Sequence, residues 1–281
     1  MNIETIAVCG AGTMGRGIAQ VCATAGFATI LFEPNSEVLR NAKEAVHSSL
    51  QALAAKGKIG APDEILNRIF FTQNLSDCTA QLVIEAIVEQ PAAKVGLFTQ
   101  LATINDAATI FASNTSSLSI SELANNLPHP DRFAGLHFFN PAPLMKLVEV
   151  VAGAQTDPEV IKTLEALVAR LGKTSVACTD APGFIVNRVA RPFYIEALRQ
   201  AEAGVEMETI DRLMEARGFK MGPFRLMDLI GNDVNYAVSC SVWEQLQQPE
   251  RLRPSPLQQE KVEAGHLGKK SGKGYYTYDK A

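Results

Sequence analysis

A glycine loop near the start of the chain restricts the fold more than any other feature. The apolar run Ile3–Cys9 leads into Gly10-Ala11-Gly12-Thr13-Met14-Gly15 and then into a helical pattern over Arg16–Thr24. Gly10 permits a tight turn, Gly12 lets the backbone approach a diphosphate, and Gly15 lets helix and strand pack closely. The free N–H groups and positive partial charge of the helix's first turn suit a phosphate. A second apolar run, Phe27–Phe32, ends at Glu33, where a carboxylate can accept both hydroxyls of an adenosine ribose. That carboxylate would repel a 2′-phosphate, and no Arg lies within Pro34–Val38, so NAD is favoured over NADP. The candidate cofactor-binding residues here are Gly10, Ala11, Gly12, Thr13, Met14, Gly15 and Glu33.

Strand-like runs recur at Ile69–Thr72, Leu82–Val88, Thr109–Ser113, Phe133–Phe139, Lys146–Val151 and Thr174–Cys178, with helical patterns in most of the gaps. Several runs are almost continuously apolar, as strands covered on both faces should be. Pro158–Leu171 carries the clearest helical stripe, through Val160, Ile161, Leu164, Leu167, Val168 and Leu171. Alternation of this kind predicts an α/β fold with a doubly wound Rossmann-type sheet. After Asp180-Ala181-Pro182-Gly183 the alternation stops. Helices are expected over Phe184–Ala203, Met207–Arg217, Pro223–Leu246 and Pro256–Ala264, separated by Gly and Pro turns. The expected organisation is a dinucleotide-binding domain over 1–183 and a smaller all-helical domain over 184–281.

Composition removes other classes. The chain of 281 residues has a formal net charge of −4, which gives no electrostatic footprint for nucleic acid. Its five cysteines are scattered with no C-x-x-C, so a disulfide framework and a metal site are both poor readings and a reducing compartment fits better. No apolar run reaches the roughly 18 residues that span a bilayer, and no basic leader opens the chain. A cytoplasmic protein without membrane attachment is expected.

Among the four histidines, only His137 lies on an apolar strand near its carboxyl end, where open α/β sheets bind ligands. If Phe133–Phe139 and Lys146–Val151 form a hairpin centred on Pro143, His137 and Glu149 are equidistant from the turn and face each other. A carboxylate beside one imidazole nitrogen fixes the tautomer, stabilises the imidazolium and leaves the other nitrogen as a base. Ser113-Asn114-Thr115-Ser116-Ser117 follows the strand Thr109–Ala112 and offers Ser116 and Ser117 as donors near nicotinamide and substrate. Ser119 with Glu122 reads as a helix cap. Asn35–Lys58, long and helical, reads as an extended arm carrying Ser48, Ser49, Lys56 and Lys58; a solvated surface helix would share this pattern. A hydroxyacid dehydrogenase without CoA and a non-enzymatic NAD-binding protein both remain compatible with these features.

The segments Gly10–Gly15, Ile84-Glu85-Ala86-Ile87-Val88-Glu89, Ser113–Ser117, His137-Phe138-Phe139-Asn140-Pro141 and Pro182-Gly183-Phe184-Ile185-Val186-Asn187-Arg188 together resemble the L-3-hydroxyacyl-CoA dehydrogenases, in their short bacterial 3-hydroxybutyryl-CoA form. The likeness continues through Gly222-Pro223-Phe224, Asp228 and Gly231 to Gly268–Tyr276, essentially the whole chain. It implies an oxidoreductase that interconverts (S)-3-hydroxyacyl-CoA and 3-oxoacyl-CoA with NAD(H), a reaction used in fatty-acid β-oxidation among other pathways. It also implies that His137 is the base and Glu149 its partner, and that Ser116 and Asn187 contact the reacting oxygen. Asn140 and Ser116 would lie near the nicotinamide ribose, Glu89 and Lys94 would touch the cofactor, and Ser49 and Lys56 would hold CoA. Asn187 follows the domain boundary, so the reaction is expected in the cleft between domains. A homodimer through the helical domain is implied, consistent with many large apolar residues there, among them Ile210, Leu213, Leu229, Ile230 and Val234. Two positions depart from the family pattern: Glu33 stands where Asp is common, and Asn232 where an apolar residue is usual.

Overall fold

A computed structural model describes residues 2–278. The chain divides into two compact units, Met1–Ala181 and Pro182–Ala281.

The first unit is built on eight strands: β1 (Thr5–Cys9), β2 (Ala28–Phe32), β3 (Ile69–Thr72), β4 (Leu82–Glu85), β5 (Ile110–Ser113), β6 (Phe133–Phe138), β7 (Leu147–Ala152) and β8 (Thr174–Thr179). They form one sheet in the order β3-β2-β1-β4-β5-β6-β7-β8, parallel throughout except where β7 runs antiparallel to β6. The order reverses direction at β1, so the carboxyl ends of β1 and β4 flank a crevice of the kind that binds ligands. Helices α1 (Thr13–Thr24), α2 (Ser36–Ala55), α3 (Pro62–Leu66), α4 (Pro91–Ile104), α5 (Ile120–Ala124) and α6 (Pro158–Arg170) connect the strands. The core joins Ile6, Val8 and Ile84 of the sheet to Ile18 and Cys22 of α1 and Leu164 and Val168 of α6, all buried.

α2 is fixed at its start by Asn35, whose side chain accepts from the N–H groups of Glu37 and Val38. It buries Ala42, Val46 and Leu50, so one face of the expected arm is part of the core rather than free in solvent. Ser119 caps α5 by accepting from the Glu122 N–H, and Asp180 adds three more bonds there, from Ser119 Oγ and the N–H groups of Ile120 and Ser121.

The second unit contains α7 (Val186–Glu202), α8 (Met207–Ala216), α9 (Pro223–Ile230), α10 (Asn232–Gln245) and α11 (Pro256–Glu263). Its core gathers Tyr194, Ala197, Leu198, Ile210, Phe224 and Met227. The single helix expected over Pro223–Leu246 is instead two, because Gly231 between them adopts φ 110°. That conformation interrupts an α-helix and is readily reached only by glycine. Two buried carboxylates tie the unit together. Asp211 accepts from the N–H groups of Phe224 and Arg225 and from the Tyr276 hydroxyl. Asp228 accepts from the N–H groups of Tyr275 and Tyr276, from the Tyr278 hydroxyl and from Asn232 Nδ2. Asn232 also donates to the His266 carbonyl, so the unusual polar residue joins α10 to the segment before Gly268. No described helix is long and apolar enough to cross a membrane.

Candidate active site

The glycine loop and Glu33 meet at the carboxyl ends of β1 and β2. Gly10 has φ 100°, and a Cβ there would press on the Ala86 carbonyl at 2.6 Å; a Cβ on Gly15 would overlap the Gly10 carbonyl. The loop can therefore close this tightly only with glycine. Gly12 instead faces open space, and α1 carries no acidic residue in its first turn. The Glu33 carboxylate accepts from the Ala11 N–H and the Asn35 N–H, both at 3.1 Å, which holds it beside the loop. An open loop, an unneutralised helix start and a carboxylate presented between them fit the diphosphate and ribose of a dinucleotide.

The next strand adds a buried ionic cluster. Glu85, the last residue of β4, is fully buried beside Cys9 of β1 and Ser113 of β5. It accepts from Ser113 Oγ at 2.6 Å, the Ile87 N–H at 2.7 Å and Lys94 Nζ at 2.6 Å. Lys94 is 1 % exposed and also meets Glu89 at 3.1 Å. Glu89 accepts from the Thr115 hydroxyl and the Ser116 N–H. Burial pushes the Glu89 carboxyl up, but the Lys94 charge and the bonds from Thr115, Lys94 and Ser116 outweigh it and hold it below the ordinary carboxylate value. This cluster locks the loop after β4 to the serine-rich turn after β5, and so positions Ser116.

Asn114 was not singled out among the sequence candidates, yet its side chain accepts from the Phe138 N–H at 2.8 Å while its own N–H donates to the Glu85 carbonyl. It thereby ties the ends of β4, β5 and β6 together, directly beside His137. Glu85 is likewise absent from the sequence candidates, although it lies inside the segment that carries the family likeness. Polarity at a strand's carboxyl end was the available signal for both residues.

His137 and Glu149 are direct cross-strand partners in the β6–β7 register. His137 Nδ1 donates to Glu149 Oε2 at 2.7 Å, and both side chains are buried. The imidazole lies 4.5 Å from the Phe139 ring, centroid to centroid. A short charge-assisted bond in an apolar setting fixes the tautomer and gives a protonated ring its counter-charge.

Asn140 lies in the turn after β6 and lines a cavity of about 190 Å³ together with Thr13, Arg16, Gly17 and Ser49. A cofactor candidate on the glycine loop, another on the β6–β7 turn and a substrate candidate on α2 are thus brought together. Lys56, the residue capping α2, is exposed and lines none of the cavities described in this unit. Asn187 is the second residue of α7, in the second unit.

Comparison with known proteins matches this architecture at full length. The profile of the 3-hydroxyacyl-CoA dehydrogenase NAD-binding domain matches residues 5–181, and that of the 3-hydroxyacyl-CoA dehydrogenase C-terminal domain matches 183–278. A 3-hydroxyadipyl-CoA dehydrogenase of Escherichia coli K12 is 47 % identical over 99 % of this chain, which spans 60 % of that protein's length. A probable 3-hydroxybutyryl-CoA dehydrogenase of Deinococcus radiodurans is 44 % identical over 96 % of this chain and 99 % of its own. The crystal structure of (S)-3-hydroxybutyryl-CoA dehydrogenase from Ralstonia eutropha superposes with a TM-score of 0.94 at 38 % identity, covering 99 % of this chain and 100 % of the other. With both of its units matched in order, the chain belongs to the 3-hydroxyacyl-CoA dehydrogenase family, its NAD-binding domain coming first and its helical C-terminal domain second.

Proposed function

We propose that the protein interconverts (S)-3-hydroxyacyl-CoA and 3-oxoacyl-CoA with NAD(H), on short chains such as 3-hydroxybutyryl-CoA. The observation that carries this reading is the buried His137–Glu149 pair, joined at 2.7 Å on the strand next to the serine-rich turn. NAD, when bound, supplies the acceptor for the hydride that leaves C3. His137 Nε2 takes the hydroxyl proton as that hydride departs, and returns a proton to the 3-oxo oxygen in reverse. Glu149 holds the ring's orientation and offsets its charge while it is protonated. Ser116 and Asn187 orient the reacting oxygen and donate to the charge that develops on it.

The remaining residues bind and position. The N–H groups of Gly10–Gly15 receive the diphosphate, Glu33 the adenosine ribose, and Asn140 with Ser116 the nicotinamide ribose. Glu89 and Lys94 border the nicotinamide side, held in place by Glu85 and Thr115. Ser49 and Lys56 engage the CoA portion. A homodimer forms through the second unit, supported there by exposed Leu213, Leu229, Ile230 and Val234.

Turnover of acetoacetyl-CoA with NADH, followed by the loss of nicotinamide absorbance, tests the activity. Free acetoacetate and NADPH should be poor replacements. Activity on the free acid but not the thioester would overturn the CoA assignment. The relative named for 3-hydroxyadipyl-CoA supplies a second substrate to compare: a higher kcat/KM on 3-hydroxyadipyl-CoA than on 3-hydroxybutyryl-CoA would replace the short-chain assignment.

A further inference from the structure

Arg191, one helical turn after Asn187 on α7, is a buried charge without a counter-charge. It is 3 % exposed. Its Nε donates to the Asn187 carbonyl at 3.2 Å, and its Nη1 donates to the Asn235 carbonyl at 3.0 Å and to Ser239 Oγ at 2.8 Å, both on α10. All three acceptors are neutral. Among the described residues, Arg191 forms no ion pair with a carboxylate. Acids of the same unit are engaged elsewhere: Asp211 and Asp228 with backbone N–H groups, Asp233 with Lys270, and Glu202 with Ser255. The Tyr194 ring centroid lies 4.9 Å from the guanidinium carbon, but burial pushes the Tyr194 hydroxyl up, so it stays neutral and supplies no counter-charge. Burial pushes the Arg191 guanidinium down to about 10, which still leaves it charged at neutral pH.

Neutral acceptors satisfy hydrogen bonds without offsetting a charge, and a buried charge is costly unless it is paired. A clamp between α7 and α10 needs only the bonds, not the charge. Nη2 is the part of the guanidinium left over. It makes no bond among the described residues and is not one of the unpaired atoms sealed from solvent, so it is open to an incoming group. Position supplies a second, independent observation. Asn187 and Arg191 stand at i and i+4, so they share one face of α7 with Cβ atoms about 5–6 Å apart. The bond from Nε to the Asn187 carbonyl turns the guanidinium back toward Asn187.

We propose that Arg191 receives the terminal carboxylate of a dicarboxylic 3-hydroxyacyl-CoA, and so selects among acyl chains at the end remote from the thioester. This inference rests on the proposed function, in which Asn187 meets the oxygen on C3. A six-carbon chain fits the spacing. Three carbon–carbon bonds separate C3 from the terminal carboxyl carbon, roughly 4 Å when extended, and a hydrogen bond to Nη2 covers about 3 Å more. The C4 methyl of a four-carbon chain stops short of the guanidinium, so 3-hydroxybutyryl-CoA makes no use of it. A carboxylate gives Nη2 a charge-assisted bond in a poorly solvated setting, where such bonds are strong. A six-carbon chain that ends in a methyl group brings apolar surface against the charge and leaves it unpaired, which disfavours that chain.

The test compares kcat/KM with NAD for 3-hydroxyadipyl-CoA, its neutral ω-methyl ester and 3-hydroxyhexanoyl-CoA. It is run on the unsubstituted protein, on Arg191→Met and on Arg191→Gln, which keeps hydrogen-bond donors but lacks the charge. The unsubstituted protein should prefer the carboxylate over either neutral chain by about thirtyfold or more, the scale of removing one member of a buried charge pair. In both variants that ratio should fall to near one or reverse, with the loss for the carboxylate mainly in KM, because the contact is made equally in ground and transition states. The ratio is read within each protein, so damage to Asn187 or to the packing of α7 on α10, which slows all three substrates alike, cancels. A purely structural Arg191 predicts the same ratio in all three proteins. That result, or a ratio near one in the unsubstituted protein, overturns the assignment. Should Arg191→Met fail to fold, Arg191→Gln carries the comparison. Absence of turnover with every thioester, acetoacetyl-CoA included, would defeat the proposed function instead.

Discussion

Replacing Glu149 by Gln keeps the shape of the side chain and one hydrogen-bond acceptor while it removes a single charge. The carboxylate lies 2.7 Å from His137 Nδ1, and the two residues are 0 % and 6 % exposed, so little solvent screens them. With charge centres about 4 Å apart and an effective dielectric constant of about 20, the Coulomb attraction between the carboxylate and the charge that develops on the ring is about 4 kcal/mol. In the proposed mechanism the ring gains its proton in the transition state of oxidation, so most of that stabilisation is absent from the ground state. Every 1.36 kcal/mol is tenfold in rate, and the retained amide contact offsets part of the loss, which gives an expected fall in kcat of about 10²–10³-fold. The assay is oxidation of 3-hydroxybutyryl-CoA followed by NADH absorbance, with NADH affinity and the thermal midpoint measured alongside. Both controls should stay near those of the unsubstituted protein, because neither depends on a protonated imidazole. A Glu149→Gln variant that keeps more than a third of kcat would refute the reasoning, and so would one whose loss appears only in KM. His137→Ala, which removes the base itself, should cost at least 10²-fold in kcat.

Glu33→Ala should raise KM for NAD with little change in kcat and should shrink the discrimination against NADP; unchanged discrimination would remove Glu33 from the ribose site. Lys94→Met leaves the Glu85 carboxylate buried without its cation, and is expected to destabilise the chain by about 3–5 kcal/mol in a urea titration; a midpoint shift too small to resolve would show that Glu85 is satisfied without it. Because the Glu89 carboxyl is depressed in the folded chain, its contribution is present above the unfolded value of 4.5 and is lost as pH falls through the folded one. Acid melting should therefore be steeper for the unsubstituted protein than for Glu89→Gln in the range below pH 4.5, and parallel curves would contradict that sign. Light scattering across dilution should give about twice 30.3 kDa, and Leu229→Glu with Val234→Asp should bring it to the monomer mass; a mass near 30.3 kDa for the unsubstituted chain would end the dimer proposal.

The glycine loop, the strand ahead of it, the helix behind it and the acid ending β2 were legible in local sequence, because Gly15 packs on the Gly10 carbonyl five residues before it and the acid follows one crossover later; only the close approach of Gly10 to the Ala86 carbonyl needed the sheet. Almost continuous apolar runs likewise marked the strands and apolar stripes the helices, and the symmetric spacing about Pro143 predicted the His137–Glu149 pairing that the β6–β7 register contains. Other features arose only in three dimensions. The break at Gly231 left the helical periodicity of Pro223–Leu246 intact on either side, and its φ of 110° depends on the packing of α9 and α10. Lys94 is singled out in the sequence only through the family likeness, and its burial is invisible there; it is buried because Glu85 from β4 meets it. Arg191 meets the Asn235 carbonyl and Ser239, 44 and 48 positions further on, so no local window contains its burial. The division has one physical cause: backbone conformation and apolar periodicity are properties of adjacent residues, whereas the cost or benefit of a charge depends on which distant segments surround it.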